Sequence, residues 1–600
     1  MAGKFVSERN IKFLLYDVFD IESLTNYPYF SDHNKNTFNM VLKAASKLAK
    51  DKLFPVFEEM DRSQPELVNG EVVVHPSVRD ILHEYAEGGW ISSIFPYDVG
   101  GEQLPSMITE VCHFIFACAN YSAGAYSGLT SGAAGLIISF GNKALYDRFV
   151  PNMFSGKWQG TMALTEPEAG SSLSDIRTVA EPTDGDYYTI KGQKVFISAG
   201  DHNCVENVVH LMLAKIKGAP AGVKGISLFV VPKKRMENGQ LVSNDVTTSG
   251  VFHKMGYKGC PIVQLDMGDA GDCRGWLVGE PNNGLRYMFQ MMNEARIDVG
   301  LGANAMATAA YYASLEYSKS RLQGRRVSEK EPTKPQVPII EHADVKRMLL
   351  FQRAINEGAL ALLMQCSKYV DLLQVLPEAE KENVHLLLEL LTPVAKSYPS
   401  EMGIQAISQG LQCLGGSGYC DDYPLEQYYR DARIHPIHEG TTGIQGMDIL
   451  GRKVIMKDGK AFVLFQEEVA KTVQAAEAYP ELLPFSKKLA DALQRCKKIT
   501  AHLLTVAQSQ GIEVFLADAV LYLEMFGIVT IAWQWLTQGI AIQKQLGGKV
   551  SKNDLHFFTG KMVVLRFFYS YELPKISGLA ERLLESDGLT VNAGTDCFID

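Results

Sequence analysis

The period of the apolar residues changes near Gly160, and this change constrains the fold more than any other feature of the chain. From about Asn36 to Ile138, stretches such as TFNMVLKAASKLAKDKLFPVFEEM repeat apolar residues every three or four positions, as helices buried on one face do. After Gly160, short runs such as YYTIKGQKVFIS and GISLFVVP are rich in β-branched and aromatic residues and are separated by Gly and Pro. Because no helical pattern lies between these runs, they predict a compact antiparallel β domain and disfavour a parallel dinucleotide-binding sheet.

Helical periodicity returns after the β region. It begins at NGLRYMFQMMNEARIDVG, continues to about Gly451 around a polar loop, VSEKEPTKPQVP, and resumes after about Asp458. The sequence therefore predicts an α+β multidomain protein made of an N-terminal segment (1–35), an N-terminal helical domain (36–160), a β domain (161–280), a second helical domain (281–456) and an extra C-terminal helical domain (457–600).

Charge and cysteine spacing argue against several classes of protein. The net charge is −10, and basic runs such as PKKR and GRR are short and isolated, so we expect no nucleic-acid groove. The ten cysteines form no CxxC pair, a pattern typical of buried reduced thiols in a cytosolic protein and unlike a disulfide framework or a zinc site. We therefore predict a cytoplasmic protein without a metal site.

Two further stretches bear on membrane association. The opening stretch, MAGKFVSERNIKFLLYDVFDIESL, carries charges every few positions and has no continuous apolar core, so we predict no signal peptide. The stretch VFLADAVLYLEMFGIVTIAWQWL carries Asp518 and Glu524, and its uncharged part after Glu524 is too short to span a bilayer. It predicts a buried helix, with an interfacial helix as the alternative, and no stable membrane insertion.

Two segments hold residues suited to binding or catalysis. MALTEPEAGSS (162–172) places a hydroxyl and a carboxylate before a proline turn, which is either a binding segment or a capping turn. In LGGSGYCDDYPLEQYYRDARIHPIHEGTTGIQ, the glycines at 415, 416 and 418 expose backbone N–H groups that suit a phosphate, although a glycine-rich helix connection would look the same. Glu439, alone before Gly-Thr-Thr-Gly, is either a catalytic base or an acid at the start of the next helix.

Four motifs together make the chain resemble the acyl-CoA dehydrogenase family. ALTEPEAGS, VFISAG, QCLGGSGY and RDARIHPIHEGTTGIQ occur in the family's order over roughly the first three-quarters of the chain. The resemblance implies FAD-dependent α,β-dehydrogenation of an acyl-CoA thioester to the 2-enoyl-CoA, a reaction of β-oxidation. It also implies a fold with an N-terminal helical domain, a β domain and a C-terminal four-helix bundle.

The resemblance assigns the catalytic base to Glu439, which would take the α proton while the β hydrogen leaves as hydride to flavin N5. Some family members carry the base directly before an arginine on the first helix after the β domain, but that position here is Ala295. Glu294 lies on a different helical face, and we interpret it and Arg296 as helix-packing or substrate-channel residues. Gly440 would leave room for the thioester, and Ser171 resembles a residue at the acyl-CoA entrance.

The resemblance also implies a set of FAD contacts. Leu164 and Thr165 resemble the residues at the pyrimidine edge of the isoalloxazine, Ser198 the hydroxyl donor to N5, and Phe196 the aromatic beside the ring. Four residues resemble those near the FAD pyrophosphate of a neighbouring subunit: Arg321, Gln412, Gly415 and Gly416. Two residues resemble those near the flavin and adenosine: Thr441 and Gln445. Three positions depart from the family's pattern, namely Ser172, Gln323 and His342.

Partners and rival functions follow from the same resemblance. An electron-transferring flavoprotein is the implied electron acceptor, and the extra helical domain resembles that of the large bacterial subfamily of roughly 600 residues, which implies a homodimer. The alternatives are an acyl-CoA oxidase that uses oxygen and a non-catalytic homologue that binds flavin or DNA. The acyl group, whether long-chain, thioether, cyclic or aryl-substituted, stays open.

Overall fold

The computed structural model describes residues 4–600, and the chain divides into two compact units. We call Lys35–Ala295 the β-domain unit and the residues up to Asn34 together with Arg296–Asp600 the helical unit. The chain begins with helix α1 (Glu8–Lys12), which belongs to the helical unit.

Five helices open the β-domain unit. The longest of them contains a kink at Asn120, whose side-chain amide donates to the Leu53 carbonyl at 3.3 Å and whose side-chain oxygen accepts from the Ala123 N–H at 3.2 Å. A side chain with non-helical backbone angles that caps the next turn explains why one long apolar stretch forms two helix segments. The helices are α2 (Lys35–Leu48), α3 (Phe57–Arg62), α4 (Ser77–Glu87), α5 (Ser106–Phe140) and α6 (Lys143–Phe154).

Twelve strands belong to this unit, and eight of them form one sheet in the order β10-β11-β5-β12-β7-β6-β3, with β4 pairing with β5 and β6. Two hairpins, β1–β2 and β8–β9, stand apart from it. The strands are β1 (Glu66–Val68), β2 (Glu71–Val73), β3 (Trp158–Ala163), β4 (Val179–Pro182), β5 (Tyr188–Ser198), β6 (Asn207–Ile216), β7 (Ile226–Pro232), β8 (Lys234–Glu237), β9 (Gln240–Ser243), β10 (Val246–Val251), β11 (Ile262–Met267) and β12 (Arg274–Val278).

The predicted β domain is confirmed, with one difference in strand direction. Most neighbours are antiparallel, but β3 and β4 both run parallel to β6. A parallel pair needs a crossover connection, usually a helix. Here the chain from β3 to β6 passes through β4 and β5 instead of a helix. A sheet without intervening helices can therefore still contain parallel neighbours.

The core of this unit lies between α5, α6 and one face of the sheet. Apolar side chains of the two helices, such as Ile137 and Phe149, join those of β6 and β7, such as Leu211 and Val230, in one buried cluster. Strand β6 is buried from Asn207 to Ala214, as expected of a central strand covered on both faces.

The helical unit contains three long helices and two short ones before the extra domain. Helix α7 (Gly284–Ser320) begins in the β-domain unit and ends in the helical unit. The others are α8 (Ala343–Val375), α9 (Glu378–Leu414), α10 (Leu425–Ala432) and α11 (Thr442–Asp448), the last continued by a π-helical turn, Ile449–Lys453. The predicted helical domain is confirmed.

The extra C-terminal part is helical, as predicted. Its central helix is the one helix among residues 4–600 that is long and apolar enough to cross a membrane, and 83% of its most apolar window is buried. The prediction of a buried helix is therefore confirmed. The helices are α12 (Lys460–Ala476), α13 (Leu483–Ser509), α14 (Ile512–Leu516), α15 (Ala519–Leu546), α16 (Lys552–Phe567), α17 (Ile576–Glu585) and α18 (Leu589–Asn592).

A buried polar network connects the start of the chain to this C-terminal part. The Lys561 ammonium is inaccessible to solvent and donates to Glu357 at 2.8 Å, to the side chain of Asn10 at 2.8 Å and to Gln538 at 2.6 Å. The N-terminal residues thus belong structurally to the helical unit and lie against helices that are distant in sequence.

Candidate active site

Glu439 occupies an unusual backbone conformation between α10 and α11. Its φ is +53°, in the left-handed region that few residues other than glycine adopt, and Gly440 follows with φ +87°. The Gln445 amide donates to the Glu439 carbonyl at 3.1 Å, and the Thr442 N–H donates to the Pro436 carbonyl at 3.0 Å. The turn is therefore held by the first residues of the helix that follows it.

The Glu439 N–H makes no hydrogen bond to residues 4–600. Glu439 is half-buried, and desolvation of its carboxyl group raises the pKa, while the charges of Arg296 and Lys396 lower it. Desolvation is the largest of these effects, so the pKa of Glu439 lies above its ordinary value. A carboxylate in this state is a stronger base than one in water.

Lys396, in the middle of α9, is fully buried, and its ammonium has no hydrogen-bond partner among residues 4–600. Burial lowers the pKa of Lys396 to about 8, while the carboxylates of Glu439 and Glu401 favour its charged form. Arg296 is also buried and forms an ion pair with Asp448 at 3.4 Å. This contact favours the helix-packing interpretation of Arg296 over the substrate-channel one.

The imidazole of His438, directly before Glu439, is neutral. Burial lowers its pKa to about 3, and its Nε2 has no hydrogen-bond partner among residues 4–600. Its ring meets that of His435 edge to face at 5.1 Å. Neither ring adds a positive charge beside Glu439, since burial also holds the pKa of His435 well below its ordinary value.

The rival base position carries no titratable side chain. Ala295 occupies it, and the neighbouring Glu294 is exposed. The rival position therefore offers no buried carboxylate.

In the β-domain unit, Leu164 and Thr165 follow β3 and are half-buried. The next residues form a tight turn, in which Glu166 and Ala169 exchange N–H to carbonyl bonds of 3.0 and 3.1 Å. The turn around Pro167 thus forms as its residue types predict. Ser171 lies beyond it and is exposed.

Phe196 sits at a β-bulge in β5. Lys194 pairs with Leu265 and Ile197 pairs with Val263, so three steps along β5 oppose two along β11. Phe196 takes φ +58°, which is a genuine outlier for a bulky residue, and its side chain is 61% exposed. The bulge therefore turns an aromatic ring outward from the sheet, where it packs against Phe252 at 4.7 Å between ring centroids.

Ser198 ends β5 and is half-buried, paired with Ile262. Ser172, one of the three departures from the family's pattern, bonds to Asp175 at 2.5 Å and to Ser174 at 2.8 Å. Its hydroxyl closes a local turn.

The residues assigned to a pyrophosphate share one region of the helical unit and are all exposed: Arg321, Gln412, Gly415 and Gly416. A bond of 3.4 Å between Tyr317 and Ser417 ties the end of α7 to the turn after α9. Gly415 has φ +59° and ψ −138°, a conformation open essentially to glycine alone. The Arg321 guanidinium makes no hydrogen bond or ion pair within residues 4–600.

His342, another of the three departures from the family's pattern, has a hydrogen-bond partner nearby. Its Nε2 lies 2.8 Å from the carbonyl oxygen of Gln323, which is the remaining departure. Thr441 is also local, because its hydroxyl caps α11 by accepting from the Ile444 N–H at 3.3 Å. Gln445 is fully buried and its side-chain oxygen has no hydrogen-bond partner among residues 4–600.

Two buried lysines near the proposed site residues were not predicted from the sequence. Lys396 stands alone in the apolar stretch LLTPVAKSYP, and Lys194 stands alone in the strand KVFISAG. A single lysine within a run that must be buried is itself a signal, because a buried ammonium requires a partner or a function.

The chain has the fold of a class of dehydrogenases built from a helical domain, a β domain and a helical domain. Models of this class match most of the chain: "Acyl-CoA dehydrogenase, N-terminal domain" at 35–157, "Acyl-CoA dehydrogenase, middle domain" at 161–270, "Acyl-CoA dehydrogenase, C-terminal domain" at 282–454, and "Acetyl-CoA dehydrogenase C-terminal like" at 465–593. The chain belongs to the acyl-CoA dehydrogenase family and is an oxidoreductase.

Full-length relatives agree with this assignment. The chain is 33% identical to 3-methylmercaptopropionyl-CoA dehydrogenase of Ruegeria pomeroyi, over 95% of this chain and 97% of that protein. It is 32% identical to a broad-specificity linear acyl-CoA dehydrogenase of Mycobacterium tuberculosis, over 96% of each chain. The crystal structure of an acyl-CoA dehydrogenase from Bacillus anthracis, complexed with FAD, superimposes with a TM-score of 0.74 at 20% identity, over 99% of this chain and 93% of that one.

Acyl-CoA dehydrogenases bind FAD, and FAD is the cofactor of this chain. The residues present fit the group. The outward-turned Phe196 ring offers a flat apolar surface, and the positions of a Cβ at Gly415 and Gly416 have no heavy atom within 4 Å, which leaves their backbone open to a phosphate. Arg321 supplies an exposed guanidinium of the type that recognises phosphate.

Proposed function

We propose that the protein removes the α and β hydrogens of an acyl-CoA thioester and yields the 2-enoyl-CoA, with Glu439 as the base. The observation that carries this proposal is the state of Glu439, a carboxyl group whose pKa is raised by desolvation and whose backbone is held in a left-handed turn. Strain of this kind is typical of residues whose position matters to function.

The chain's own residues supply the proton chemistry. The Glu439 carboxylate takes the α proton, and its backbone N–H, which has no partner within residues 4–600, is available to donate to the thioester carbonyl as negative charge develops there. When bound, FAD accepts the β hydrogen as hydride. The desolvated carboxylate and the donor N–H belong to the same residue, so the conformation of one backbone turn fixes the position of both groups.

The direct test replaces the base. We expect Glu439→Gln to fold, to bind FAD and to lose anaerobic flavin reduction by acyl-CoA by a factor of about 10² to 10⁴, as for removal of a positioned general base. Glu294→Gln is the matched control and should reduce its flavin at the rate of the unmodified protein. Rapid reduction of the Glu439→Gln flavin, or a comparable loss in Glu294→Gln, would contradict the assignment.

The cofactor contacts are proposed residue by residue. Leu164, Thr165, Phe196 and Ser198 would meet the isoalloxazine, and Arg321, Gln412, Gly415 and Gly416 would meet a pyrophosphate, with Thr441 and Gln445 near the flavin. The Arg321 guanidinium is exposed and has no partner among residues 4–600, which supports its part. Ser171 and Gly440 remain proposed acyl-CoA contacts, whereas Arg296 is proposed to pack α7 against Asp448.

A panel of acyl-CoA thioesters tests the substrate class, because the relatives named above differ in theirs. We propose that straight-chain and thioether acyl groups head this panel, with cyclic and aryl-substituted ones as comparison. The band of the oxidised flavin, followed without oxygen, reports which thioesters reduce it. Slow reoxidation by air that an electron-transferring flavoprotein accelerates would identify a dehydrogenase, and rapid reoxidation by air would identify an oxidase.

We propose β-oxidation as the process, the cytoplasm as the location, and five segments with boundaries at 35, 160, 280 and 456. The family matches, which change near 157, 282 and 454, support the segment boundaries. The cytoplasmic location is supported by ten cysteines without a disulfide partner among residues 4–600.

A further inference from the structure

A buried lysine in β5 holds two groups of the segment that follows β3. The Lys194 ammonium is inaccessible to solvent and donates to the Leu164 carbonyl at 2.9 Å and to the Glu166 carboxylate at 2.8 Å. Both acceptors lie within one short stretch, Leu164–Glu166, which contains the two residues proposed to meet the flavin. All of these residues belong to the β-domain unit.

The Glu166 carboxylate is saturated with donors. Besides Lys194 it accepts from the Thr178 hydroxyl at 2.6 Å, the Thr178 N–H at 3.1 Å and the Arg177 N–H at 2.5 Å. These donors and the lysine outweigh desolvation and lower the pKa of Glu166. The pair is therefore an ion pair that fixes the direction of both side chains.

The bulge in β5 adds a backbone bond to the same segment. Because the bulge interrupts the pairing of β5 with β11, the Val195 N–H points away from the ladder and donates to the Thr165 carbonyl at 2.9 Å. Two adjacent residues of β5 thus bind two adjacent carbonyls, those of Leu164 and Thr165. The next residue, Phe196, is the aromatic that the bulge turns outward.

An ion pair in this position needs a reason other than stability. Burial of both charges incurs a desolvation penalty, and a well-packed apolar pair of similar volume is often as stable. A directional role explains the charges, because apolar side chains cannot fix the orientation of a carbonyl group. The Leu164 carbonyl is oriented by Lys194, and Lys194 is oriented by Glu166.

We propose that Lys194 and Glu166 are positioning residues that set the backbone of Leu164 and Thr165 for FAD before the cofactor binds. This inference rests on the proposed flavin contacts of Leu164 and Thr165. The two residues act through the backbone of the segment and need not touch the cofactor themselves.

The β-domain unit offers a matched control. Lys233 donates to both carboxylate oxygens of Asp201 at 2.6 Å, and Asp201 also accepts from Thr248 at 2.7 Å. The Asp201 side chain is buried and Lys233 is mostly so. The pair resembles Lys194–Glu166 in type and burial but makes no bond to Leu164–Glu166 among the described residues.

The experiment compares Lys194→Met, Glu166→Gln and Lys233→Met in the full-length protein. The melting temperature of the apoprotein measures stability, fluorescence titration measures the FAD dissociation constant, and the absorption spectrum of the holoprotein reports the flavin environment. We expect Lys194→Met and Lys233→Met to lower the melting temperature by similar amounts. Lys194→Met alone should raise the dissociation constant about 10- to 100-fold, the loss of one charge-assisted bond, and change the flavin spectrum.

A double variant separates positioning from stability. Glu166→Gln with Lys194→Met removes both charges and keeps a side-chain oxygen that can accept from Thr178 and Arg177, and we expect it to be more stable than Lys194→Met alone but not to regain FAD affinity. Glu166→Gln keeps the side-chain shape and should weaken FAD binding less than Lys194→Met, and it serves if Lys194→Met does not fold. Equal FAD affinities in Lys194→Met and Lys233→Met, or recovery of affinity in the double variant, would overturn the inference.

The proposed flavin contacts have their own readout. Thr165→Pro removes the N–H of that residue and perturbs the segment directly. If Thr165→Pro binds FAD as the unmodified protein does, the contacts assigned to the segment are wrong. If Thr165→Pro loses FAD while Lys194→Met keeps it, the contacts stand and the positioning role of the lysine is refuted.

Discussion

At the scale of single residues, the basicity of Glu439 is a balance between its surroundings and two cations. Desolvation raises its pKa, and the Arg296 and Lys396 charges lower it. Arg296 is already paired with Asp448, whereas the Lys396 ammonium has no hydrogen-bond partner in the described part of the chain. Lys396 is therefore the cation whose removal changes the carboxylate most cleanly.

Lys396→Met should move the pH profile of flavin reduction. A base works as the carboxylate, so the rate falls as the pH drops through the pKa of Glu439, which already lies above its ordinary value. Without the Lys396 charge this pKa rises further, and the acidic limb of the profile moves to higher pH. Stopped-flow reduction by one acyl-CoA across a pH series measures it.

The control for this prediction is Lys368→Met. Lys368 is in the same unit, and burial also lowers its pKa. It donates to the Phe19 carbonyl at 2.8 Å and is not among the charges that shift the pKa of Glu439. An acidic limb that stays in place in Lys396→Met, or moves equally in both variants, would show that Lys396 does not influence the base.

The sequence indicated the identity of the proposed base but not its electrostatic surroundings. Glu439 could be singled out because it stands alone beside small residues in a recognisable motif. Lys396 lies 43 positions earlier on another helix, and only the packing of α9 places its charge near the carboxylate. Charges that act across helices leave no local pattern for a sequence to display.

At the scale of elements, α11 rests directly on the backbone of α15. A Cβ placed on Gly446 would lie 2.9 Å from the carbonyl carbon and oxygen of Ala519, and backbone atoms cannot move aside as a flexible side chain can. The helix that holds the Glu439 turn is therefore positioned by the extra C-terminal domain. This contact gives the added domain a part in shaping the proposed active site.

Gly446→Ala should displace α11 and slow flavin reduction. We expect a loss of stability of about 1 to 3 kcal/mol, typical of an overpacked site, and a fall in the reduction rate that exceeds any change in FAD binding. Gly451→Ala is the control, because the nearest atoms to its added methyl belong to the flexible Leu516 side chain at 3.3 Å. Equal reduction rates in the two variants would disprove a link between this contact and the base.

The element order was predictable from the period of the apolar residues, but the strand directions were not. A change from period three or four to period two is visible in the sequence near Gly160. The parallel pairing of β3 and β4 with β6 depends on which strands meet after the chain crosses the sheet. Similarly, the bulge at Phe196 arises from the way β5 pairs with β11, and nothing in the stretch VFISAG indicates it.

At the scale of the whole molecule, removing one partner from the network around Lys561 should destabilise the helical unit. Lys561→Met leaves Glu357 buried with one partner fewer, and breaking a buried pair from one side typically costs about 3 to 5 kcal/mol. Lys471→Met, which removes an exposed ammonium from the partly exposed Glu468, should cost far less. Chemical denaturation of both variants tests the difference, and equal midpoints would contradict it.

We also expect the molecule to be a homodimer. Arg321 presents a guanidinium at the surface that has no partner in the described part of the chain, and the resemblance assigns it to the cofactor of a neighbouring subunit. Light scattering should give twice the chain mass of 66.3 kDa. In a mixture of Arg321→Ala and Glu439→Gln chains, activity above that of either variant alone would indicate subunits that share sites, and a monomeric mass would exclude the arrangement.

The hydrogen bond between Asn10 and Lys561 joins residues 551 positions apart, which sets an order of events during synthesis. A ribosome adding about 5 to 20 residues per second needs roughly half a minute to two minutes to travel that distance. Phe13, Leu14 and Leu15 are all buried in the folded protein. Throughout this interval their apolar side chains remain exposed, because the C-terminal helices have not yet been synthesised. We therefore expect the segment around Phe13 to bind chaperones during synthesis and to dock only after the C-terminal helices have been made.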